Sequence, residues 1–166
     1  MKEIVDISTG EIVVGAKGTM LRSIAIGSCI VIAAYDSKNN IGAMAHIMLP
    51  GRAPEKSQQK TKYAADAIDE MINRMTQRGA KKCNIEVCLI GGANILQKQD
   101  DTVCEANIKS VTQLLKKKRI PIRADVLGGT ERKGVLMDTD SGSISHTEGN
   151  SEKKPLWKPQ SKPAVI

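Results

Sequence analysis

Two apolar runs around a polar turn constrain this chain more than any other feature. Residues 29–35 (CIVIAAY) and 41–49 (IGAMAHIML) flank Asp36-Ser37-Lys38-Asn39-Asn40. Runs of this length joined by a turn of this composition predict a β-hairpin. Neither run alternates apolar with polar residues, so the hairpin is expected to be covered on both faces.

The rest of the chain supplies the cover. Short strands are expected at 10–16 and 21–26, and a polar loop with two Pro at 50–60 is of a kind that lines a site. Residues 62–78 carry Ala64, Ala65, Ile68, Met71, Ile72 and Met75 at helical spacing, with Gly79 as the stop. A strand at 84–90 follows, broken by Gly91-Gly92. A second helix opens on Thr102-Val103-Cys104-Glu105, the spacing of a capping box. Ile108, Val111, Leu114 and Leu115 form its stripe, and Lys116 to Arg119 place cations at its negative end. A strand at 121–127 and a second hairpin, 134–137 with 143–146, complete the pattern. Strands, helix, strand, helix, strands predict a single α/β domain over 1–147, with two main helices against a mainly antiparallel sheet system. From 148 to 166 the composition turns to Lys, Ser, Gly and Pro, which predicts a flexible tail.

Composition excludes several functions. Apolar residues make up 40% of the 166, so the chain can bury a core and is not disordered throughout. No apolar run approaches the ~18 residues of a membrane span. The first six residues carry acids where a signal peptide needs a basic and then an apolar region, so a cytoplasmic protein is expected. There is no Phe, and Tyr35, Tyr63 and Trp157 are the only aromatic residues. An RNA-recognition sheet or an oligonucleotide-binding barrel needs exposed aromatics to stack bases. The net charge of +7 does not restore a nucleic-acid reading. Residues 151–166 hold four Lys and one Glu, which leaves the first 150 residues only mildly basic.

Of the four cysteines, Cys83 and Cys88 lack the spacing of a zinc pair and no His pair completes a set. Cys83, Cys88 and Cys104 read as small apolar fillers. Cys29 is different. If Ser37 to Asn40 form the hairpin turn, Asp36 pairs with Ile41 and paired positions sum to 77. His46 then faces Val31, and Cys29 and His46 become diagonal neighbours on one face. A neighbouring imidazole can activate a thiol. The small stretch Gly27-Ser28-Cys29 offers backbone N–H groups to hold an oxyanion.

Gly27-Ser28-Cys29 followed by Gly42-Ala43-Met44-Ala45-His46-Ile47-Met48-Leu49-Pro50 resembles the signature of the CheD family, the chemoreceptor glutamine deamidases. Lys62-Tyr63-Ala64-Ala65-Asp66-Ala67-Ile68 resembles that family's helix start, and Ile90-Gly91-Gly92-Ala93 its Gly-Gly-Ala turn. Asn107 matches a family Asn. Asp125-Val126-Leu127-Gly128-Gly129, followed by Arg132, resembles its late Asp-x-Gly-Gly segment. The likeness is collinear over roughly residues 10–147.

The resemblance implies an α/β/β sandwich and a cysteine amidohydrolase acting on glutamine side chains of the cytoplasmic helices of chemoreceptors. It implies Cys29 as nucleophile, His46 as general base and Ser23, where the family has a Thr, as the orienting third member. Gly27 and Ser28 would give backbone support to the oxyanion. No metal or organic cofactor is needed, and neither nucleic acid nor membrane insertion is implied. A second implied role, binding a CheC-type phosphatase of chemotaxis, needs no thiol chemistry. His146 reads as a solvated surface histidine.

Overall fold

The computed structural model describes residues 1–100 and 102–160. Among these residues the elements run β1 (Glu3–Asp6), β2 (Ile12–Val14), β3 (Thr19–Ile26), β4 (Ile30–Asp36), β5 (Ile41–Ile47), α1 (Ala64–Gln77), β6 (Ile85–Gly91), α2 (Thr102–Lys117), β7 (Ile122–Leu127), β8 (Lys133–Asp138), β9 (Ile144–Glu148) and β10 (Lys154–Trp157). The strands form two sheets. The inner sheet has the order β2-β5-β4-β6-β7 and the outer sheet β1-β3-β8-β9-β10.

The β4–β5 hairpin lies at the centre of the inner sheet, in the register that the turn predicts. Asp36 pairs with Ile41, Val31 with His46 and Ile30 with Ile47. The buried Asp36 carboxylate locks the turn. It accepts from the N–H groups of Lys38 and Asn39 at 3.0 and 3.1 Å, the Asn39 amide at 2.8 Å and the Lys81 N–H at 2.9 Å. Burial pushes this carboxyl up, but the donors outweigh it and the net shift is downward.

Both faces of the hairpin are covered, which explains the missing alternation. Ile30, Ile32, Ala34, Ala43, Ala45 and Ile47 pack on α1 and α2 in one core. Val31, Ala33, Tyr35 and Met44 pack on the outer sheet in a second core with Leu21, Ile26, Val135 and Met137. Helices, inner sheet and outer sheet make the three layers of an α/β/β sandwich. A chain without Phe fills them with Ile, Met and Ala, and α1 turns Ala64, Ala67, Ile68, Met71 and Met75 inward. Each fully buried Ile contributes about 1.5–3 kcal/mol.

Six of the eight strand pairings are antiparallel. The two parallel ones are β6 with β7, which α2 connects as a crossover, and β1 with β3. Two strands depart from the sequence reading. β1 is unannounced, because Ile4 and Val5 are its only apolar residues. The stretch expected to begin a flexible tail instead supplies β10, which pairs with β9. Leu156 and Trp157 pack on the inter-sheet core, and the edge position tolerates Pro155. The last part of the expected tail, residues 161–166, lies outside the described residues. No helix among the described residues is long and apolar enough to cross a membrane.

Candidate active site

Cys29 lies between β3 and β4, on the short segment that passes from one sheet to the other. The Gly91-Gly92-Ala93 turn holds that segment. The Gly92 N–H donates to the Cys29 carbonyl at 2.8 Å, and the Ala93 N–H to the Gly27 carbonyl at 2.9 Å. Gly91 has φ 127°, and a Cβ there would collide with the Cys29 carbonyl oxygen. This contact gives the Gly-Gly-Ala turn its local reason: a side chain would push the cysteine segment away.

His46 sits on β5 with 6% exposure, on the hairpin face turned toward the outer sheet. Its Nδ1 lies 3.3 Å from the Ile7 carbonyl oxygen and 3.5 Å from Ser23 Oγ. A carbonyl only accepts, so the Ile7 contact places the proton on Nδ1 and leaves Nε2 with a lone pair. Ser23, on β3, donates its hydroxyl to the same Ile7 carbonyl at 2.6 Å. Ser23 and His46 therefore meet across the two sheets at the Ile7 carbonyl. The nearest orienting partner of His46 is a backbone carbonyl that sequence reading missed. Any residue type carries a carbonyl, so only the fold reveals this one.

Cys29, His46, Ser23 and Gly27 line one groove of about 370 Å³. Its other walls are residues 6–9, which follow β1, and residues 22–25 of β3. The pairing of β3 with β8 shifts between Ser23 and Ile26, and Ala25 has φ 56°. This bulge turns Ile24 out to 62% exposure at the rim.

Burial shifts both reactive groups toward neutrality. It raises the Cys29 thiol, partly offset by hydrogen bonding from the Thr9 hydroxyl and from the cysteine's own N–H. It lowers His46, partly offset by the Ile7 carbonyl and by the charge of Glu11. Both shifts favour the neutral thiol and the neutral imidazole over a preformed thiolate and imidazolium.

Other sequence readings are corrected by their neighbours. The 50–60 loop does not wall the Cys29 groove. Arg52 ties it to α1 through Asp66 at 3.4 Å and Asp69 at 3.0 Å, and Arg52 and Lys60 line a separate cleft. Cys83 is exposed in a short turn before β6 and fills no core. Cys88 and Cys104 are buried, and burial pushes the Cys88 thiol up to about 12. His146 is half-buried, its Nδ1 enclosed, beside Arg22 and Ile24 in a small pocket. Lys118, in the basic run after α2, pairs with Asp69 at 2.6 Å.

Comparison with known proteins places the chain among relatives. The family model described as CheD chemotactic sensory transduction matches residues 48–148, a span that begins just beyond His46. A protein of Chlorobium luteolum named probable chemoreceptor glutamine deamidase CheD is 39% identical over 150 residues, covering 90% of this chain and 75% of that one. A protein of the same name from Methanococcus maripaludis is 34% identical over 130 residues, covering 77% of this chain and 84% of that one. Among solved structures, the chain is similar to Bacillus licheniformis hypothetical protein YfiH, at a TM-score of 0.42 and 12% identity over 78% of this chain and 59% of that one. That likeness is too loose to bear on function. The family match spans more than half of the chain and the relatives cover most of it, so this chain belongs to the CheD family.

Proposed function

We propose that the protein is a protein-glutamine deamidase that converts glutamine side chains on the cytoplasmic helices of chemoreceptors to glutamate. The observation that carries this reading is the meeting of Cys29, His46 and Ser23 on one groove, with Nδ1 of His46 engaged by Ile7 and Nε2 left as the base. The names of the relatives give the substrate class.

The chemistry follows from the neutral resting pair. His46 Nε2 takes the Cys29 proton as sulfur attacks the carboxamide carbon. The C–S bond forms while the carbonyl π electrons move onto oxygen. Collapse of this intermediate expels ammonia, protonated by His46, and leaves a thioester. Water then adds, with His46 again accepting a proton, and glutamate leaves as the thiol is restored. The Ile7 carbonyl and Ser23 steady the imidazolium that forms in each step. No metal or organic cofactor enters this scheme.

Ammonia release from a purified receptor cytoplasmic fragment tests it. Cys29→Ala should abolish release while the circular dichroism spectrum stays that of the wild type. Turnover by the folded variant would sink the nucleophile assignment. Binding of a CheC-type phosphatase, the other role in this reading, should survive the same substitution because it uses no thiol.

A further inference from the structure

Asn107 is a wholly buried polar residue on α2 that touches both halves of the site from behind. Its Nδ2 donates to the Ser28 carbonyl at 2.9 Å and to the Met48 carbonyl at 3.0 Å. One carbonyl immediately precedes Cys29, and the other lies two residues beyond His46. Both amide protons are therefore spent on joining the segment of the thiol to the strand of the imidazole. The opposite amide orientation would set oxygen against two carbonyl oxygens, so the donor assignment is forced. The cost is visible in the amide oxygen, which is buried and meets no donor among the described residues. An apolar side chain would avoid that cost but would leave the Ser28 and Met48 carbonyls without this donor, so the Asn is bound up with the path of both segments.

The peptide plane carries the consequence. No peptide bond among the described residues is cis, and in a trans peptide the C=O and N–H point in opposite directions. Asn107 draws the Ser28 carbonyl toward α2, so the Cys29 N–H points the other way. That N–H belongs to a residue that lines the groove. It is placed to donate to the oxygen that becomes negative when sulfur adds to a carbonyl carbon.

We propose that Asn107 is a positioning residue for deamidation: by holding the Ser28 and Met48 carbonyls, it aims the Cys29 N–H at the developing oxyanion. This rests on the reading of Cys29 as nucleophile.

Asn107→Leu keeps the approximate volume and removes both donors, while Asn107→Ala removes the donors in a smaller side chain. Both are made in a Cys83→Ser background so that the exposed thiol does not compete for reagent. On a purified receptor fragment, kcat should fall roughly 100-fold with KM within about two-fold, the signature of an interaction made only in the transition state. Alkylation of Cys29 by iodoacetamide should change by no more than about three-fold, because displacement of iodide creates no oxyanion. An unchanged kcat, or alkylation falling in step with kcat, would overturn the proposal.

Should neither variant fold, the wild type still decides. A peptide with glutamate γ-semialdehyde in place of glutamine accepts the thiol. A C–S bond forms, the π electrons pass to oxygen, and the thiol proton ends there as a hemithioacetal. The Cys29 amide proton should then move downfield in the NMR spectrum, and an amide that does not move overturns the assignment. Deamidation by Cys29→Ala, by contrast, would overturn the nucleophile reading itself.

Discussion

The two faces of the β4–β5 hairpin are built from similar side chains and serve different ends. Toward the helices, Ile30, Ile32, Ala34, Ala43, Ala45 and Ile47 are buried and wholly apolar. Toward the outer sheet, Val31, Ala33, Tyr35 and Met44 continue in the same manner until the strands reach Cys29 and His46. The helix face is closed along its length by α1 and α2. The other face opens where β3 bulges between Ser23 and Ile26. Cys29 and His46 sit where the layer opens, and there substrate and water can replace the solvation that burial removes.

Paired substitutions separate the faces most strongly. His46→Ala should lower kcat by about 10²–10⁴-fold, the usual worth of a general base, with little change in the denaturation midpoint. Ile68→Ala, on α1 against the other face, should cost about 2–5 kcal/mol of stability and leave kcat of the folded protein intact. Urea titrations run beside ammonia assays would show both. A variant that loses stability and kcat together would mean that the faces are not separable.

A smaller effect is expected at Ser23. Its hydroxyl shares the Ile7 carbonyl with His46 instead of holding the ring alone. Ser23→Ala should therefore slow turnover by about ten-fold, less than His46→Ala, and Ser23→Thr should be nearly neutral. A dead Thr variant would place this position outside the orienting pair.

The smallest and most diagnostic effect is in the pH profile. Burial lowers His46, so its neutral, basic form persists below the ordinary ~6.5 of imidazole. The acid limb of kcat/KM should accordingly lie below that value. Stability carries the same sign. An unfolded chain binds the proton that folded His46 resists, so His46 favours the fold above ~6.5 and that contribution is lost as pH falls through its lowered pKa. A limb at or above 6.5 would point to an imidazolium at rest.

The sequence made the centre of this arrangement legible. Asp36, Asn39 and Asn40 set the turn, the turn sets the register, and that register pairs His46 with Val31, two residues after Cys29. Legibility falls away where pairing is distant or chemistry is generic. β1 has two apolar residues and pairs with a strand that only folding brings near. β10 hides under Lys and Pro, and its Leu156 and Trp157 show their purpose only against the core. Ile7 acts through its carbonyl. The 50–60 loop looked like a wall until Arg52 was seen to clasp Asp66 and Asp69. A neighbouring imidazole favours a thiolate, and the burial of both groups, which only the fold shows, works against it.

The order in which the strands leave the ribosome gives the two sheets different histories. Cys29 precedes, and His46 lies within, a local hairpin that can close early. Ser23 is fixed in the outer sheet only when β3 pairs with β8, with Val135 opposite it. Roughly 90 residues separate β5 from β8, so synthesis at about 5–20 residues per second leaves an interval on the order of 5–20 s. During that time the groove walls at residues 6–9 and 22–25 are already made, but β3 lacks the β8 partner that fixes it in the outer sheet. Competence arrives late, when β8 pairs with β3 and fixes a groove whose every lining residue the N-terminal half has already supplied.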